Sequence, residues 1–466
     1  MLNLAIVGGG SLLLPPILRA GFAVPELFAS GSIRLADVRP ERAQAMRDFL
    51  MAAPEYRAVG CPVTCAADLD EALDGADALY VTMEAMRYPS QYRAKDISLR
   101  HRFICSENLS INGAFLGARL GPTILDFARR MEKYCPQAVM LCHANPIAVY
   151  SGLVNQCTKI QALGVCDGHS NARYNLTRIT GRSAYDPDWE LVSAGVNHCA
   201  FIIRGAYRGE DYRKRLDKAL TPSWKPVAMP DMGLAEARAQ YYLNLTAQGY
   251  RRAGVMCFSG EADGLDHVFH VEATEKMNEA ARALPERTAA EYDRMAAETH
   301  AKRERDFADF AALAREAKAG RVDWVHPPAE RWFRVHHTGN SLSILKAFVG
   351  LGAARTVVSR PNRGAVAGMP DDAVLEYTVD IAGRSITPAE DLHVPTPYRG
   401  LIAGLSEFQT LTADALARQD PKTFADALLA YPMRRGEPGV IAYLKEIFAC
   451  YDDIPPYMAE AVRYLN

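Results

Sequence analysis

The chain has 466 residues, of which 49% are hydrophobic and 23% are charged, an ordinary globular composition. The formal net charge of −2 excludes a generally basic surface, so we expect no nucleic-acid partner. No segment approaches the roughly 18 uninterrupted apolar residues of a membrane span, so we expect no membrane partner either. The length exceeds what one hydrophobic core usually serves, which predicts at least two domains.

The N-terminus and the cysteines both bear on the compartment. Residues 2–7 are an apolar run without the basic region and cleavage site of a signal peptide, so they predict a first strand. The ten cysteines are dispersed along the chain, which favours reduced thiols over a disulfide framework. We therefore expect a cytoplasmic protein.

The first forty residues have the order of a dinucleotide-binding βαβ unit. A strand runs into Gly8-Gly9-Gly10-Ser11, a helix is predicted over 15–22, and a second strand ends at Asp37. Glycines let the backbone approach a pyrophosphate, to which the helix presents its N-terminal amides. Asp37 can accept both ribose hydroxyls, which favours NAD over its 2′-phosphorylated form, although the nearby Arg39 weakens that preference. The residues predicted to bind NAD are Gly8, Gly10, Ser11, Asp37, Arg39, Thr82 and Asn145.

Further strands are predicted at 78–82, 103–105, 138–142 and 162–165, with helical segments such as 122–134 between them. This alternation is typical of a parallel sheet with helices on both faces. Ligands of such sheets collect beyond the carboxyl ends of the strands, and Thr82, Asn145 and Cys166 directly follow strand segments. We therefore predict an α/β fold whose residues 1–190 form a Rossmann-like, doubly wound NAD-binding domain.

The pattern changes after about residue 190. Strands at 190–194 and 199–203 flank Asn197-His198, long helical stretches cover 233–250 and 270–320, and a β-hairpin is predicted at 373–386. Residues 191–466 are therefore expected to form a mixed α+β domain. We expect this domain to hold substrate and metal and to mediate assembly into a homodimer or homotetramer.

A thiol and an imidazole follow the predicted sheet edge at Cys166 and His198. A thiolate and a neutral imidazole are natural ligands of a borderline divalent ion, and the amide of Asn145 can orient a substrate hydroxyl beside them. Considered alone, a single cysteine and a single histidine are more often packing residues. The rest of the sequence must therefore decide between a metal site and packing.

Together these motifs resemble glycoside hydrolase family 4, the NAD- and divalent-metal-dependent glycosidases. The resemblance runs from residue 1 to about 465 and implies that the C-terminal α+β domain is of the lactate/malate dehydrogenase-like type. The segment 106–119 is similar to a family loop of the form G-D-T-x-G-P-G-G-x-x-x-A-L-R, but Ile111 and Asn112 replace its proline and a glycine, so the chain is a divergent member. The strongest matches are Gly8-Gly9-Gly10-Ser11, Asn145-Pro146, Cys166, Gly195-Val196-Asn197-His198 and the block at 362–376.

The resemblance implies a glycosidase acting on a small glycoside with NAD and a divalent ion, expected to be Mn²⁺. In the family mechanism NAD oxidises the hydroxyl at sugar carbon 3, and a base then removes the acidified proton at carbon 2 beside the ion. The glycosidic oxygen leaves by elimination, and water adds. The implied roles are metal ligands for Cys166 and His198, substrate binding for Asn145 and Arg119, and the catalytic acid for Glu107.

The catalytic base stays open between two tyrosines and an aspartate. Tyr242, with its neighbour Tyr241, has the spacing of the family base, and a nearby ion lowers the pKa of a phenol from about 10. Aromatic packing of a helix explains both tyrosines equally well. Asp263 is the competing candidate, because other members use an aspartate in that segment.

The sugar stays open among 6-phosphoglycosides, galactosides, glucosides and glucuronides. A basic cluster after Thr82 could receive a phosphate or carboxylate, with Arg87 as the predicted substrate contact, or could be a solvated surface. If it binds substrate, an anionic glycoside is favoured. The cluster consists of Arg87, Arg93, Arg100, His101 and Arg102.

Two other functions stay open. An NAD-dependent sugar or 2-hydroxyacid dehydrogenase shares the nucleotide domain but needs no thiol ligand, and it typically carries a histidine with a nearby aspartate and paired arginines. A non-catalytic NAD-sensing protein would bind NAD without metal-dependent turnover. The presence of both Cys166 and His198 favours the glycosidase.

Overall fold

The computed structural model describes residues 2–84, 90–166, 175–182, 188–221, 224, 236–257, 262–327, 332, 340–433, 436–451 and 454–465. For residues 236–239, 262–263, 271–272 and 436–437 it describes the backbone alone.

The fold is α/β and is built on one 13-stranded mixed sheet, with a separate two-stranded sheet of β12 and β15. The strands are β1 Asn3–Val7, β2 Ser32–Ala36, β3 Val63–Cys65, β4 Ala78–Val81, β5 Val139–Cys142, β6 Gln161–Gly164, β7 Trp189–Val196, β8 Cys199–Tyr207, β9 Glu210–Asp211, β10 Met256–Cys257, β11 Ala354–Pro361, β12 Val366–Ala367, β13 Val374–Ala382, β14 Ser385–Pro388 and β15 Leu392–His393.

Helices connect many of these strands and predominate after residue 398. The α-helices are Leu14–Phe22, Pro25–Phe28, Pro40–Ala52, Tyr56–Val59, Leu69–Leu73, Ser90–His101, Ile111–Tyr134, Ile147–Cys157, Tyr212–Ala219, Glu236–Ala253, Ala262–Val268, His270–Arg282, Ala289–Lys318, Ser341–Phe348, Arg399–Arg418, Pro421–Ala430, Gly436–Cys450 and Pro456–Glu460, with 3₁₀ turns at Thr396–Tyr398 and Ala461–Tyr464.

The N-terminal half of the sheet confirms the predicted dinucleotide-binding architecture. Its six strands are all parallel and lie in the order β3-β2-β1-β4-β5-β6. Alternate residues of β1 enter different hydrophobic clusters, Leu4 and Ile6 on one face and Ala5 and Val7 on the other. Both faces of this part of the sheet are therefore buried, which explains why the sequences of these strands are continuously apolar.

The carboxyl ends of the central strands lie at one level. Val7 pairs with Val81, Val81 with Cys142, and Cys142 with Gly164. Adjacent strands are about 4.8 Å apart, so the segments that follow β1, β4, β5 and β6 leave the same edge of the sheet side by side. Thr82 and the loops carrying Asn145 and Cys166 belong to these segments.

The sheet continues into the C-terminal part of the chain through antiparallel strands. Gly164 of β6 pairs with Ser359 of β11, and the order continues through β13, β7 and β8 to β10. The predicted mixed α+β character of this part is confirmed. Because one sheet crosses residue 190, the separation into domains 1–190 and 191–466 stays a prediction.

Several strand assignments differ from the sequence analysis. The strand predicted at 103–105 is wrong, because β4 pairs directly with β5 and Phe103 instead stacks its ring on Tyr443 with centroids 4.2 Å apart. Strand β11 was not predicted, although Thr356, Val357 and Val358 are β-branched residues typical of a strand.

The long helix Ala289–Lys318 connects the two parts of the fold. Its N-terminus is closed by a capping box of Thr288 and Glu291. Phe310 of this helix packs on Phe49 of the N-terminal part, with ring centroids 5.1 Å apart. Among the helices of the described residues, none is long and apolar enough to cross a membrane.

Candidate active site

The glycine loop after β1 leaves no room for side chains. Gly8 has a φ of 78°, and a Cβ at this position would lie 2.1 Å from the carbonyl oxygen of Thr82. A Cβ on Gly10 would lie 2.3 Å from the Cβ of Arg42. Glycine is therefore required at both positions, which brings the backbone close to whatever binds above β1 and β4.

The carboxylate of Asp37 is oriented by two backbone amides. Gly10 N donates to Oδ2 and Arg39 N donates to Oδ1, each at 2.9 Å. Each oxygen keeps a further lone pair, as the acceptance of a ribose diol requires. The neighbouring Val38 side chain is 94% exposed, so it offers an apolar surface of the kind that suits a purine base.

The helix that follows the loop offers fewer amides than the sequence predicted. In the fully described segment at 11–22, Leu14 N is bonded to Ser11 O, and Pro15 and Pro16 carry no N–H. The prediction that this first turn presents its amides to a pyrophosphate is therefore wrong. Anion binding must rest on the loop itself, where Thr82 Oγ1 donates to Ser11 Oγ at 3.2 Å.

The loops after β4 and β5 bring the candidate acid beside the candidate substrate amide. Asn145 Nδ2 donates to Glu107 Oε2 at 3.2 Å, and Gln91 Nε2 donates to Oε1 at 3.3 Å. Both Glu107 and Asn145 are half-buried. Only the first part of the segment 106–119 is a loop, since a helix begins at Ile111.

Cys166 and His198, 32 residues apart in sequence, meet in the structure. Cys166 Sγ lies 3.6 Å from His198 Nε2, although His198 follows a strand of the C-terminal part. His198 is buried and has a φ of 65°, a conformation that closes the tight turn between β7 and β8.

Asn108 also contacts the ring of His198. Its Nδ2 lies 3.2 Å from His198 Nε2, while its Oδ1 accepts from Ile147 N at 3.0 Å and its carbonyl accepts from Gln409 Nε2 at 2.9 Å. Asn108 adjoins Glu107 in sequence, so one loop carries contacts to both Asn145 and His198.

The separation of Cys166 and His198 fits a shared metal ion. A thiolate sulfur at about 2.3 Å and an imidazole nitrogen at about 2.0–2.1 Å from one ion lie roughly 3.1–3.6 Å apart for bond angles of about 90–110°. Across the described ranges, no group of three or more His, Cys, Asp or Glu residues could hold an ion. Two protein ligands would leave coordination positions of the ion open for substrate. The residue before His198 offers a further oxygen. The buried Oδ1 of Asn197 has no hydrogen-bond partner among the described residues.

A buried carboxyl group behind His198 was missed by the sequence analysis. Glu376 Oε2 accepts from Asn197 Nδ2 at 2.8 Å and from Ser359 Oγ at 3.0 Å. Burial raises the pKa of Glu376 above its usual range, although these hydrogen bonds and the charge of His198 oppose the increase. Glu376 ends the block at 362–376 that resembles the family, but that block does not reveal its partners, which are Asn197 in the turn after β7 and Ser359 of β11.

We expect the Glu376→Gln substitution to remove one contribution to the pH dependence of the free energy of unfolding. The native pKa exceeds the unfolded value of about 4.3, so between these values the native state keeps a proton that the unfolded state has lost. Stability then falls as pH rises through this window, with a slope of up to about 1.4 kcal/mol per pH unit. Glutamine cannot titrate, so the variant should gain stability relative to the wild type as pH rises.

Denaturant unfolding between pH 4 and 8 measures this difference. The control is Glu298→Gln, which changes an exposed glutamate of the helix Ala289–Lys318. Parallel pH profiles for Glu376→Gln and the wild type would contradict the prediction.

The candidate bases lie on C-terminal helices. The hydroxyl of Tyr242 accepts from Lys276 Nζ at 2.5 Å, and Tyr241 packs edge-on against Tyr242 with ring centroids 5.1 Å apart. Tyr242 is buried and Tyr241 half-buried, so both contribute to packing. Asp263 lies in the helix Ala262–Val268, but its side chain is outside the described residues.

The predicted anion-binding cluster is engaged in other contacts. Glu446 pairs with Arg100 at 3.1 Å and with His101 at 3.0 Å. Arg102 Nε donates to Asn278 Oδ1 at 3.0 Å. These three residues therefore join helices to one another, and Arg87 lies outside the described residues.

Arg119 lies in the helix Ile111–Tyr134 over an aromatic ring. Its guanidinium carbon is 4.7 Å from the ring centroid of Tyr451. The Tyr451 hydroxyl in turn donates to Asn112 Oδ1. Arg119 thus packs on the C-terminal part at the base of the segment 106–119.

Comparison with known proteins reveals matches along most of the chain. Two curated relatives each cover 93% of this chain and 92% of their own length: a probable 6-phospho-beta-glucosidase of Bacillus subtilis, 22% identical over 441 residues, and an alpha-galacturonidase of Thermoanaerobacter italicus, 21% identical over 454 residues. A solved 6-phospho-alpha-glucosidase from gut microorganisms, in complex with NAD and Mn²⁺, superposes with a TM-score of 0.77 at 20% identity over 98% of this chain and 99% of the other.

Another solved relative has the same overall fold. The 6-phospho-beta glucosidase of Thermotoga maritima with manganese, NAD⁺ and glucose-6-phosphate has a TM-score of 0.73 at 16% identity, covering 97% of this chain and 99% of that one. The profile described as Family 4 glycosyl hydrolase matches residues 3–181, and that of the Family 4 glycosyl hydrolase C-terminal domain matches residues 193–433. The chain therefore belongs to family 4 of the glycosyl hydrolases.

Proposed function

We propose that this protein hydrolyses a small glycoside with NAD and a divalent ion, Mn²⁺, as cofactors. The observation that carries the proposal is the 3.6 Å separation of Cys166 Sγ and His198 Nε2 at the sheet edge that the glycine loop also borders. Solved relatives with NAD and manganese support the choice of cofactors.

One group of the proposed site residues holds the two cofactors, and another group holds the sugar. The cofactors, when bound, supply reversible oxidation of a sugar hydroxyl and an electrophile for the negative charge that follows. Gly8, Gly10 and Ser11 border the pyrophosphate, with Thr82 beside them, and Asp37 accepts the ribose hydroxyls. Cys166 and His198 hold the ion.

Proton transfer is assigned to residues on two sides of the sugar. Asn145 orients sugar hydroxyls, and Glu107, whose carboxyl group it contacts at 3.2 Å, donates a proton to the leaving oxygen. Tyr242 is the proposed base, because it has the spacing of the family base and Lys276 Nζ donates to its hydroxyl. Tyr241 packs against it, and Asp263 is the alternative base. Arg119, whose guanidinium group lies over the Tyr451 ring, is proposed to bind the sugar or to steady the segment 106–119.

We further propose that the substrate sugar is anionic and that the two domains have different roles. Relatives are named for phosphorylated sugars and for a galacturonide, while Arg100 and His101 are already paired, so Arg87 remains the proposed contact for the sugar's charge. Residues 1–190 would bind NAD and residues 191–466 would complete the site. A homodimer or homotetramer in the cytoplasm completes the proposal.

A panel of nitrophenyl glycosides, including 6-phosphorylated sugars and uronides, tests this function. Phenol release should require both NAD and Mn²⁺ and should stop on addition of EDTA. In D₂O, the released sugar should carry deuterium at carbon 2, because a base removes that proton during turnover. Release without NAD would contradict the proposal and indicate a conventional two-carboxylate route. Net accumulation of NADH would instead indicate a dehydrogenase.

A further inference from the structure

Two arginines flank the carboxylate that would hold the ribose. Arg39 donates its backbone N–H to Asp37, and Arg42 packs against Gly10 of the loop. Dinucleotide-binding domains that accept a 2′-phosphate use an arginine near this position. The sequence alone therefore leaves the preference between NAD and NADP ambiguous.

Both guanidinium groups are paired with one carboxylate from the C-terminal part. Glu304 Oε1 lies 2.7 Å from Arg39 Nη1 and 2.6 Å from Arg42 Nη2, and Glu304 Oε2 lies 3.2 Å from Arg39 Nη2. Arg39 Nε also bonds Glu41 at 3.0 Å. With Asp37, two guanidinium groups thus face three carboxylates, so the rim has no net positive charge. The hydrogen bond from Arg39 lowers the pKa of Glu304, which keeps it ionised near neutral pH.

The position of Glu304 is fixed by its helix. The preceding residue, Arg303, pairs with Glu84 at the end of β4. Thr299 Oγ1 shares a hydrogen bond of 2.6 Å with Tyr92 OH, and Phe310 packs on Phe49. The helix is therefore held against the N-terminal part on both sides of Glu304, and this carboxylate cannot withdraw without breaking several contacts.

We propose that Glu304 is a specificity-determining residue that makes the cofactor site selective for NAD by neutralising Arg39 and Arg42. A 2′-phosphate entering this rim meets the Asp37 carboxylate and two guanidinium groups whose charge Glu304 already pairs. A plain ribose needs only the free lone pairs of Asp37. The proposal concerns cofactor binding and does not depend on which sugar is cleaved.

The test compares the affinities of NADH and NADPH for the full-length protein by calorimetry. Glu304→Gln removes the negative charge that pairs with both arginines, so NADPH should bind about tenfold more tightly while NADH changes less than about twofold. The matched control is Glu316→Gln, on the same helix, which breaks the Glu316–Arg321 pair at 2.6 Å and removes the same charge. This control should leave both affinities unchanged.

A second substitution shows whether the gain in NADPH affinity comes from Arg39 itself or from a long-range change in charge. Adding Arg39→Met to Glu304→Gln should abolish most of the gain in NADPH affinity, because the Arg39 guanidinium is lost. An equal gain in the Glu316→Gln control would overturn the proposal in favour of long-range charge. An equal gain for NADH and NADPH, or no gain for NADPH, would also overturn it.

Discussion

Replacing Cys166 by serine is expected to lower kcat/KM by about 10²–10⁴-fold, because a bound ion contributes several kcal/mol to transition-state stabilisation. A serine hydroxyl is a poor ligand for a borderline ion, whereas a thiolate binds it strongly. His198 would then remain as the other proposed ligand, 3.6 Å from the lost sulfur position. Steady-state kinetics over a Mn²⁺ titration measures both the rate and the apparent metal affinity.

A matched control uses another cysteine. Cys157 is exposed at the end of the helix Ile147–Cys157, so Cys157→Ser should leave kinetics and metal dependence at wild-type values. If Cys166→Ser retained wild-type turnover with unchanged dependence on Mn²⁺, the metal assignment would be wrong.

Replacing Gly8 by alanine is expected to destabilise the protein by about 2–5 kcal/mol. The new Cβ would lie 2.1 Å from the Thr82 carbonyl oxygen, and the φ of 78° is itself unfavourable for alanine. Relief requires β1 or β4 to move at the edge where NAD is proposed to bind. Denaturant unfolding and NADH titration should therefore both detect the substitution.

Substitution of Gly60 separates the cost of the unfavourable φ from the cost of the steric clash. It has a φ of 61° but no atom within 4 Å of a Cβ built there, so Gly60→Ala should cost only the conformational penalty of about 1–2 kcal/mol. This variant should bind NADH normally. Equal destabilisation of the two variants would show that the close approach of Gly8 to Thr82 has no energetic consequence.

The cofactor half of the protein could be predicted from sequence because its signals are local. Apolar runs, a glycine turn and Asp37 occur in order within forty residues, and all six parallel strands obey a rule that links sequence order to the sheet edge. The meeting of Cys166 and His198 was also expected, but only through the family resemblance. Nothing in the 31 intervening residues specifies their distance.

The unpredicted features depend on contacts between distant segments. Glu376 is buried by the pairing of β13 with β7 and β11, and β11 itself follows a long helical region. The basic run at 100–102 suggested an anion site, but Arg100 and His101 pair with Glu446, far along the chain. In the sequence, Glu304 looks like any charged residue on the solvated face of a helix. Only the structure shows that it pairs with Arg39 and Arg42. Periodicity predicts which residues are exposed, but it does not reveal which charges become neighbours.

The amide of Asn108 contacts the nitrogen of His198 that would bind a metal ion. Because the backbone N–H of Ile147 can only donate, it must meet the oxygen of the Asn108 side chain, which leaves the amide nitrogen facing Nε2 at 3.2 Å. An amide N–H can donate only to a ring nitrogen that carries its lone pair, so Nε2 accepts this bond. An ion held by Cys166 and His198 through Nε2 would need the same lone pair, so its binding would displace the Asn108 amide.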